Sequence, residues 1–220
     1  MAGRRGPKTP SQRPGKEGGK RALNRQKRVD DLVSAGLVLF LDKGVASVTI
    51  DEIASRAGTA KGNFYRYFDD KRALVDAILD KPAAEVRRAM RRCAVSLARA
   101  NDEEGLSAAY TDLANALALV AMKHLPVMRL YLQENRAPAT SETAGLHALA
   151  DELEDGAVRL TEVAVEHGLL RVSDPRVSAL AVVGAVEQLA IAIFRGRLDV
   201  PPADVATMVV SMVLEGIRQR

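Results

Sequence analysis

Apolar residues recur with the period of an α-helix along most of the chain that follows residue 22. Leu32, Ala35, Gly36, Leu39 and Phe40 stand at positions i, i+3, i+4, i+7 and i+8, which lie on one face of a helix. Gly44 follows this stripe, and glycine commonly ends helices because it adopts a positive φ at no steric cost. The pattern predicts a first helix over about residues 23–43.

Two shorter helices are predicted after Gly44. Thr49 and Glu52 have the spacing of a capping box, which starts a helix, and Gly58 ends it. A second short helix is expected over about residues 60–67, and one of the two aspartates at 69 and 70 caps a longer helix after it. Two short helices joined by a tight glycine turn and braced by a longer helix describe a helix-turn-helix.

The remainder, from about Pro82 to Arg220, shows helical periodicity and no alternation typical of strands. Asp174 followed by Pro175 predicts the start of a helix that runs to about Arg195. Further stripes span about residues 86–97, 106–124 and 146–167, and a last helix starts near residues 201 and 202. We therefore predict an all-α fold of about nine or ten helices.

Composition excludes several classes of protein. Apolar residues make up 47% of the 220 positions, enough for a substantial core, and the 4% of aromatic residues argues against an aromatic-rich β-sandwich. The single cysteine, Cys93, cannot form an intrachain disulfide. The most apolar segments, about residues 179–194 and 205–214, are short or interrupted by Glu187 and Gln188, so no membrane span is expected. We expect a cytoplasmic protein that does not enter a membrane.

Charge is concentrated at the start of the chain. Residues 1–28 hold ten of the 32 basic residues and one of the 28 acidic residues, so the remainder carries a net negative charge. Residues 1–21 contain almost no apolar side chain and several glycines and prolines, which predicts a disordered basic tail. Such a tail either attracts DNA phosphates beside a DNA-binding unit or serves as a solvated leader, and the sequence leaves both open.

A longer motif resembles a known family. The segment TIDEIASRAGTAKGNFYRYF (residues 49–68), preceded by LVSAGLVLFLDKG (residues 32–44) and followed by Lys71 and Leu74, resembles the DNA-binding domain of TetR-type transcriptional regulators. The resemblance implies a helix-turn-helix domain over residues 22–80 and a helical effector-binding and dimerisation domain over residues 81–220. Where the family usually has Val-Ser, this chain has Thr59-Ala60, and we expect Thr59 to take over the cap.

The resemblance also implies which residues meet DNA. The second short helix would enter the major groove, with Thr59, Lys61 and Asn63 towards base edges and Gly62 allowing close backbone approach. The positions that resemble the family's phosphate contacts are Thr49, Tyr65, Tyr67 and Lys71. Ala60 replaces a serine of the family that would cap the helix or contact a phosphate. Phe64 and Phe68 are expected in the core, while Arg56, Arg66 and Arg72 are interpreted as solvated charges.

Further sets of residues are candidates for an effector pocket and a subunit interface. In the family, helices between about Pro82 and Gly168 surround a small-molecule cavity. The candidate pocket residues of this chain are Met90, Cys93, Tyr110, Leu113, Leu117, His124 and Met128. Each of them could instead belong to the ordinary apolar core. The last two helices are apolar around much of their circumference, which predicts a homodimer interface at Ala181, Gly184, Ala185, Gln188, Val205, Met208, Val209, Met212 and Val213. The three histidines lack the close spacing of metal ligands, so no metal site or cofactor is predicted.

The favoured hypothesis is a dimeric DNA-binding regulator, a repressor released from a palindromic operator by a small-molecule effector that the sequence does not identify. No nucleophile elbow, phosphate loop or metalloprotease motif supports an enzyme. One alternative is a DNA-bound adaptor that contacts a protein partner without an inducer. A second alternative is a helical lipid or acyl carrier, but the motif over residues 49–71 argues against it.

Overall fold

A computed structural model describes residues 20–216, and these residues form nine α-helices and no strand. The all-α prediction is confirmed. In chain order the helices are α1 (Lys20–Lys43), α2 (Ile50–Arg56), α3 (Lys61–Phe64), α4 (Lys71–Leu97), α5 (Glu103–Lys123), α6 (Leu125–Asn135), α7 (Ala144–Glu166), α8 (Pro175–Phe194) and α9 (Pro202–Gly216).

The first three helices form the predicted helix-turn-helix. Helix α1 contacts α2, and α2 contacts α3. Gly44 at φ 79° ends α1, and Gly58 at φ 64° turns the chain between α2 and α3. The fully buried side chains of Phe40, Phe64 and Phe68 fill the core of this region, as the sequence predicts for the two phenylalanines of the motif.

Two helices differ from the sequence-based expectation. The stripes before and after Pro82 belong to one helix, α4, which continues through the proline. Proline removes one backbone donor, and the surrounding residues are mostly good helix formers, so the helix tolerates this change. A further helix, α6, begins directly after His124, and Pro126 stands in its first turn, where a proline has no helical hydrogen bond to break.

The described residues divide into two compact units. The first comprises residues 20–81 with Gln133–Ala148, and the second comprises Pro82–Leu132 with residues 149–216. Within the first unit, the Val45 N–H donates to Glu134 Oε1 at 3.2 Å, and Gln133 Nε2 donates to the Phe40 carbonyl at 3.2 Å. These bonds explain why a segment distant in sequence belongs with the helix-turn-helix.

The predicted basic tail falls almost wholly outside the described residues. Its last two positions, Lys20 and Arg21, lie at the start of α1, so the helix begins two residues before the expected end of the tail. Lysine and arginine have high helix propensity, which favours the extension of α1 over these positions.

Two helices are long and apolar enough to cross a membrane by length and composition alone, α5 and α8. Helix α8 has 20 residues and a mean hydropathy of 2.1 over its most apolar window, so the expectation that this segment is too short is wrong. Only 6% of that window is buried within the chain. The apolar surface of α8 therefore needs another explanation than the chain's own core.

Candidate nucleic-acid interface

Helix α2 begins with the capping box that the sequence predicts. The Thr49 hydroxyl oxygen accepts a hydrogen bond from the Glu52 N–H at 3.2 Å, and the Thr49 N–H donates to Glu52 Oε2 at 2.8 Å. Lys43 Nζ lies 2.7 Å from Glu52 Oε1. These hydrogen bonds, first of all that from Lys43, lower the pKa of Glu52 to about 2. Thr49 is exposed, and its hydroxyl is engaged in the cap.

Helix α3 presents one exposed face. Lys61, Gly62 and Tyr65 are exposed, as is Ala60, whereas Thr59, Asn63 and Tyr67 are half-buried. Phe64 is fully buried. The exposed residues thus offer a cation, a backbone without a side chain and a phenol to solvent.

Thr59 does not cap α3. Ala60 occupies the N-cap position without a side-chain hydrogen bond, and the Thr59 hydroxyl accepts from Asn63 Nδ2 at 2.8 Å. An alanine has no oxygen to offer the first backbone N–H groups, so the start of α3 has no side-chain cap. The expectation for the Thr59 cap is therefore wrong, and the Asn63 amide is already engaged within the chain.

Two lysines of the predicted interface have partners. Lys61 Nζ lies 2.7 Å from Asp51 Oδ2 in an exposed pair that raises the pKa of Lys61. Lys71 is more enclosed, with a side chain 12% exposed, and its Nζ donates to the carbonyls of Ala46 at 3.2 Å and Val48 at 3.0 Å. Lys71 thus ties the turn before α2 to the start of α4. The sequence could not show this role, because the partners lie more than twenty positions away.

The predicted effector residues fall into two groups in the second unit. Met90, Cys93, Tyr110 and Leu113 pack in one apolar cluster with Leu160, and the Tyr110 hydroxyl donates to the Leu160 carbonyl at 3.4 Å. Burial raises the pKa of the Cys93 thiol to about 12, which keeps the thiol protonated. Leu117, His124 and Met128 are half-buried.

His124 has an acidic partner in the same unit. Its Nε2 lies 3.3 Å from Glu85 Oε2, and Lys123 Nζ lies 2.8 Å from the other oxygen of Glu85. Hydrogen bonding from Lys123 and then His124 lowers the pKa of Glu85. Among residues 20–216, no three His, Cys, Asp or Glu side chains are grouped as metal ligands would be.

The predicted interface residues of α8 and α9 differ in exposure. Met208 and Met212 are 60% and 58% exposed, and Ala181, Gly184 and Gln188 are exposed as well, while Ala185, Val205 and Val213 are half-buried. Val209 is buried within its own chain. Participation of Val209 in a homodimer interface stays a prediction.

Two arginines beside α3 were not predicted to form a site. A cavity of about 150 Å³ is lined by Arg28 and Arg66 together with Thr59, Asn63 and Tyr67. Arg28 lies four positions before the buried Leu32, so both stand on the same side of α1. The spacing of Arg28 and Leu32 is the sequence signal that could have pointed to Arg28. No such signal exists for Arg66, because its place at the cavity depends on how the helices pack.

Comparison with known proteins gives a family match for this region. The model of the tetR family of bacterial regulatory proteins matches residues 32–78, from the middle of α1 into α4. The uncharacterized transcriptional regulator YvdT of Bacillus subtilis is 36% identical over 53 residues, which are 24% of this chain and 27% of that protein. The transcriptional activator FasR of Mycolicibacterium smegmatis is 38% identical over 97 residues, 41% of this chain and 42% of FasR.

Solved structures share the fold of this chain over most of its length. The transcriptional regulator FadR of Bacillus subtilis, solved in complex with stearoyl-CoA, superimposes with a TM-score of 0.63 at 14% identity and covers 86% of this chain and 98% of that one. The chain spans about a quarter of the length of YvdT and less than half of the length of FasR. The match over residues 32–78 falls on the helix-turn-helix described above, and this part of the chain is therefore similar to the tetR family of bacterial regulatory proteins.

Proposed function

We propose that this chain is a cytoplasmic transcriptional regulator that binds a palindromic operator as a homodimer and leaves it when a small-molecule effector binds. The observation that carries the proposal is the family match on a helix α3 whose Lys61, Gly62 and Tyr65 are exposed. The relatives named above are transcriptional regulators, and we propose no catalytic activity.

Contact with DNA would use the exposed face of α3. Lys61 can donate to guanine acceptors once a base edge replaces Asp51 as its partner, and this exposed ion pair is weak enough to exchange. Gly62 has open space around its Cα, so the backbone can approach a groove closely. Tyr65 presents an exposed phenol that suits a backbone phosphate.

Dimerisation is supported by apolar surface that the chain itself leaves open. Val177 on α8 is 65% exposed, and Met208 and Met212 on α9 are 60% and 58% exposed. Covering such surface with a second copy removes it from water, at about 25 cal/mol for each Å². A two-fold dimer would place two recognition helices about 34–36 Å apart, one turn of DNA, which requires a palindromic site.

The effector would bind in the second unit, near the apolar cluster that contains Met90, Cys93, Tyr110 and Leu113. An apolar ligand suits such a lining, with the Tyr110 hydroxyl as a polar group. FadR of Bacillus subtilis, which has the same fold, was solved with stearoyl-CoA, so an acyl-CoA is the first ligand to test. Effector and DNA weaken each other's binding by the same factor if they favour different conformations.

Selection of bound fragments from random duplex DNA tests the DNA-binding part of the proposal. We expect enrichment of a palindrome by the native chain, and reduced enrichment by a Lys61→Ala variant. Arg92→Ala, which changes an exposed arginine on α4 outside the helix-turn-helix, serves as the matched control and should select the same palindrome. Failure of the native chain to enrich any sequence would contradict the proposal.

Titration of the selected duplex complex with stearoyl-CoA and then with a metabolite collection tests release. Dissociation of the complex at a saturable ligand concentration supports a repressor with an effector. A complex that no ligand weakens would instead favour the adaptor hypothesis, in which the second unit contacts a protein partner.

A further inference from the structure

The cavity beside α3 is lined by two arginines from different elements. Arg28 comes from α1 and Arg66 from the turn after α3, and the lining also includes the hydroxyl-bearing residues Thr59 and Tyr67. The cavity volume of about 150 Å³ is well above the minimum of about 10–15 Å³ that a single water needs. Both arginines are exposed, so the cavity is accessible from solvent.

The charges around the cavity leave a positive excess. Asp31 also lines it and pairs with Arg28 at 3.6 Å, while both side chains stay substantially exposed, at 35% and 53%. An exposed pair at this separation contributes little and is easily rearranged. Against the single carboxylate stand two guanidinium groups, whose planar donors match the oxygens of a phosphate.

The Thr59 hydroxyl is suited to assist an anion. Its oxygen accepts from Asn63 Nδ2 at 2.8 Å, and a hydroxyl has one further hydrogen to donate. The same bond holds the Asn63 amide at the wall of the cavity, next to the hydroxyl that it supports.

From this convergence we infer that Arg28 and Arg66 form a clamp for one phosphate of the DNA backbone, with Thr59 and Tyr67 at its wall. The inference rests on the proposed function and adds a contact that the motif does not assign. It gives α1 a direct part in holding DNA, because Arg28 lies one turn before the buried Leu32. A phosphate contact positions the protein without reading sequence, so the clamp adds affinity at every site alike.

Fluorescence anisotropy with a labelled duplex of random sequence tests the clamp, because a phosphate contact needs no particular base pair. The variants are Arg28→Gln, Arg66→Gln, the double variant and Asp31→Asn, with Arg92→Gln as the control on a distant exposed surface. Each is measured from roughly 50 to 200 mM salt, since the slope of log affinity against log salt becomes shallower by about 0.9 for each phosphate that the protein no longer neutralises. Circular dichroism checks that every variant is folded.

We expect each arginine variant to bind on the order of tenfold more weakly and to flatten the salt slope, while Arg92→Gln binds as the native chain does. The double variant should be weakened by less than the sum of the two single effects, because two arginines on one phosphate are coupled. Asp31→Asn should bind more tightly. Native affinity and slope in both arginine variants would overturn the clamp, and strictly additive effects would overturn the sharing of one phosphate. If the native chain itself binds no duplex, the proposed function fails and the clamp fails with it.

Discussion

Single residues hold the turn between α1 and α2 in place. The buried Glu134 carboxylate accepts the Val45 N–H at 3.2 Å, and Val45 has no exposed surface. Replacement of Glu134 by Ala leaves that N–H without an acceptor, which costs about 1–3 kcal/mol of unfolding free energy. Glu134→Gln retains a carbonyl oxygen and should be destabilised less. Urea unfolding of the two variants measures the difference, and equal destabilisation would contradict the role of the acceptor.

Glu52 makes the capping box of α2 sensitive to acid. Hydrogen bonds from Lys43 and Thr49 lower its pKa from 4.5 to about 2. A carboxylate with a lowered pKa stabilises the fold fully above its ordinary pKa, and this contribution disappears as the pH falls from 4.5 towards 2. We expect the melting temperature of native protein to exceed that of Glu52→Gln near neutral pH, and the gap to close in acid. A gap that persists at the lowest pH would contradict this assignment.

Residue-level features could be predicted from sequence only where the partners are close in the chain. Thr49 and Glu52 are three positions apart, and their mutual caps follow from spacing alone. Val45 and Glu134 are 89 positions apart, so no local pattern connects them. Lys71 illustrates the same limit, because the motif suggests a phosphate contact while packing gives its ammonium two carbonyl partners.

Among the elements, the turn between α2 and α3 and helix α3 itself place different demands on glycine. Gly58 has φ 64°, and an alanine there costs about 1–2 kcal/mol although its Cβ would meet no atom within 4 Å. Gly62 lies inside α3 with equally open space, so Gly62→Ala should stabilise the fold by up to about 1 kcal/mol. We nevertheless expect Gly62→Ala to bind operator DNA more weakly, since its methyl group would meet the groove. Thermal unfolding and anisotropy separate the effects, and unchanged affinity for Gly62→Ala would place α3 farther from DNA.

Helix boundaries were predictable where a cap or a glycine marks them. Asp174 accepts from the N–H groups of Arg176 and Val177 at the start of α8, as the Asp-Pro pair predicts, and Gly168 follows the end of α7 at φ 69°. The continuation of α4 through Pro82 and the separate helix α6 were not predictable in this way, because a proline usually signals the end of a helix, yet Pro82 lies inside α4 and Pro126 in the first turn of α6.

For the whole molecule, the decisive question is what covers α8 and α9. The apolar periodicity predicts an excess of apolar surface, and the structure locates it at Met208 and Met212 while burying Val209 against its own chain. A sequence pattern gives the amount of apolar surface but not its division between the chain's own core and a partner. That division emerges only once the helices are packed.

Met212→Glu tests the dimer directly. Met212 is 58% exposed in the single chain, so glutamate is tolerated there unless a second copy covers the position. In a covered interface the charge would be buried without a partner, and the dimer should dissociate. Met122→Glu on α5, where the methionine is 50% exposed, is the matched control and should remain dimeric.

A dissociated Met212→Glu chain keeps its helix-turn-helix but no longer links two half-site contacts, so operator affinity should fall far more than helix content. Sedimentation, circular dichroism and anisotropy together decide the matter, since a folded Met212→Glu dimer with native affinity would mean that the interface lies elsewhere on the chain.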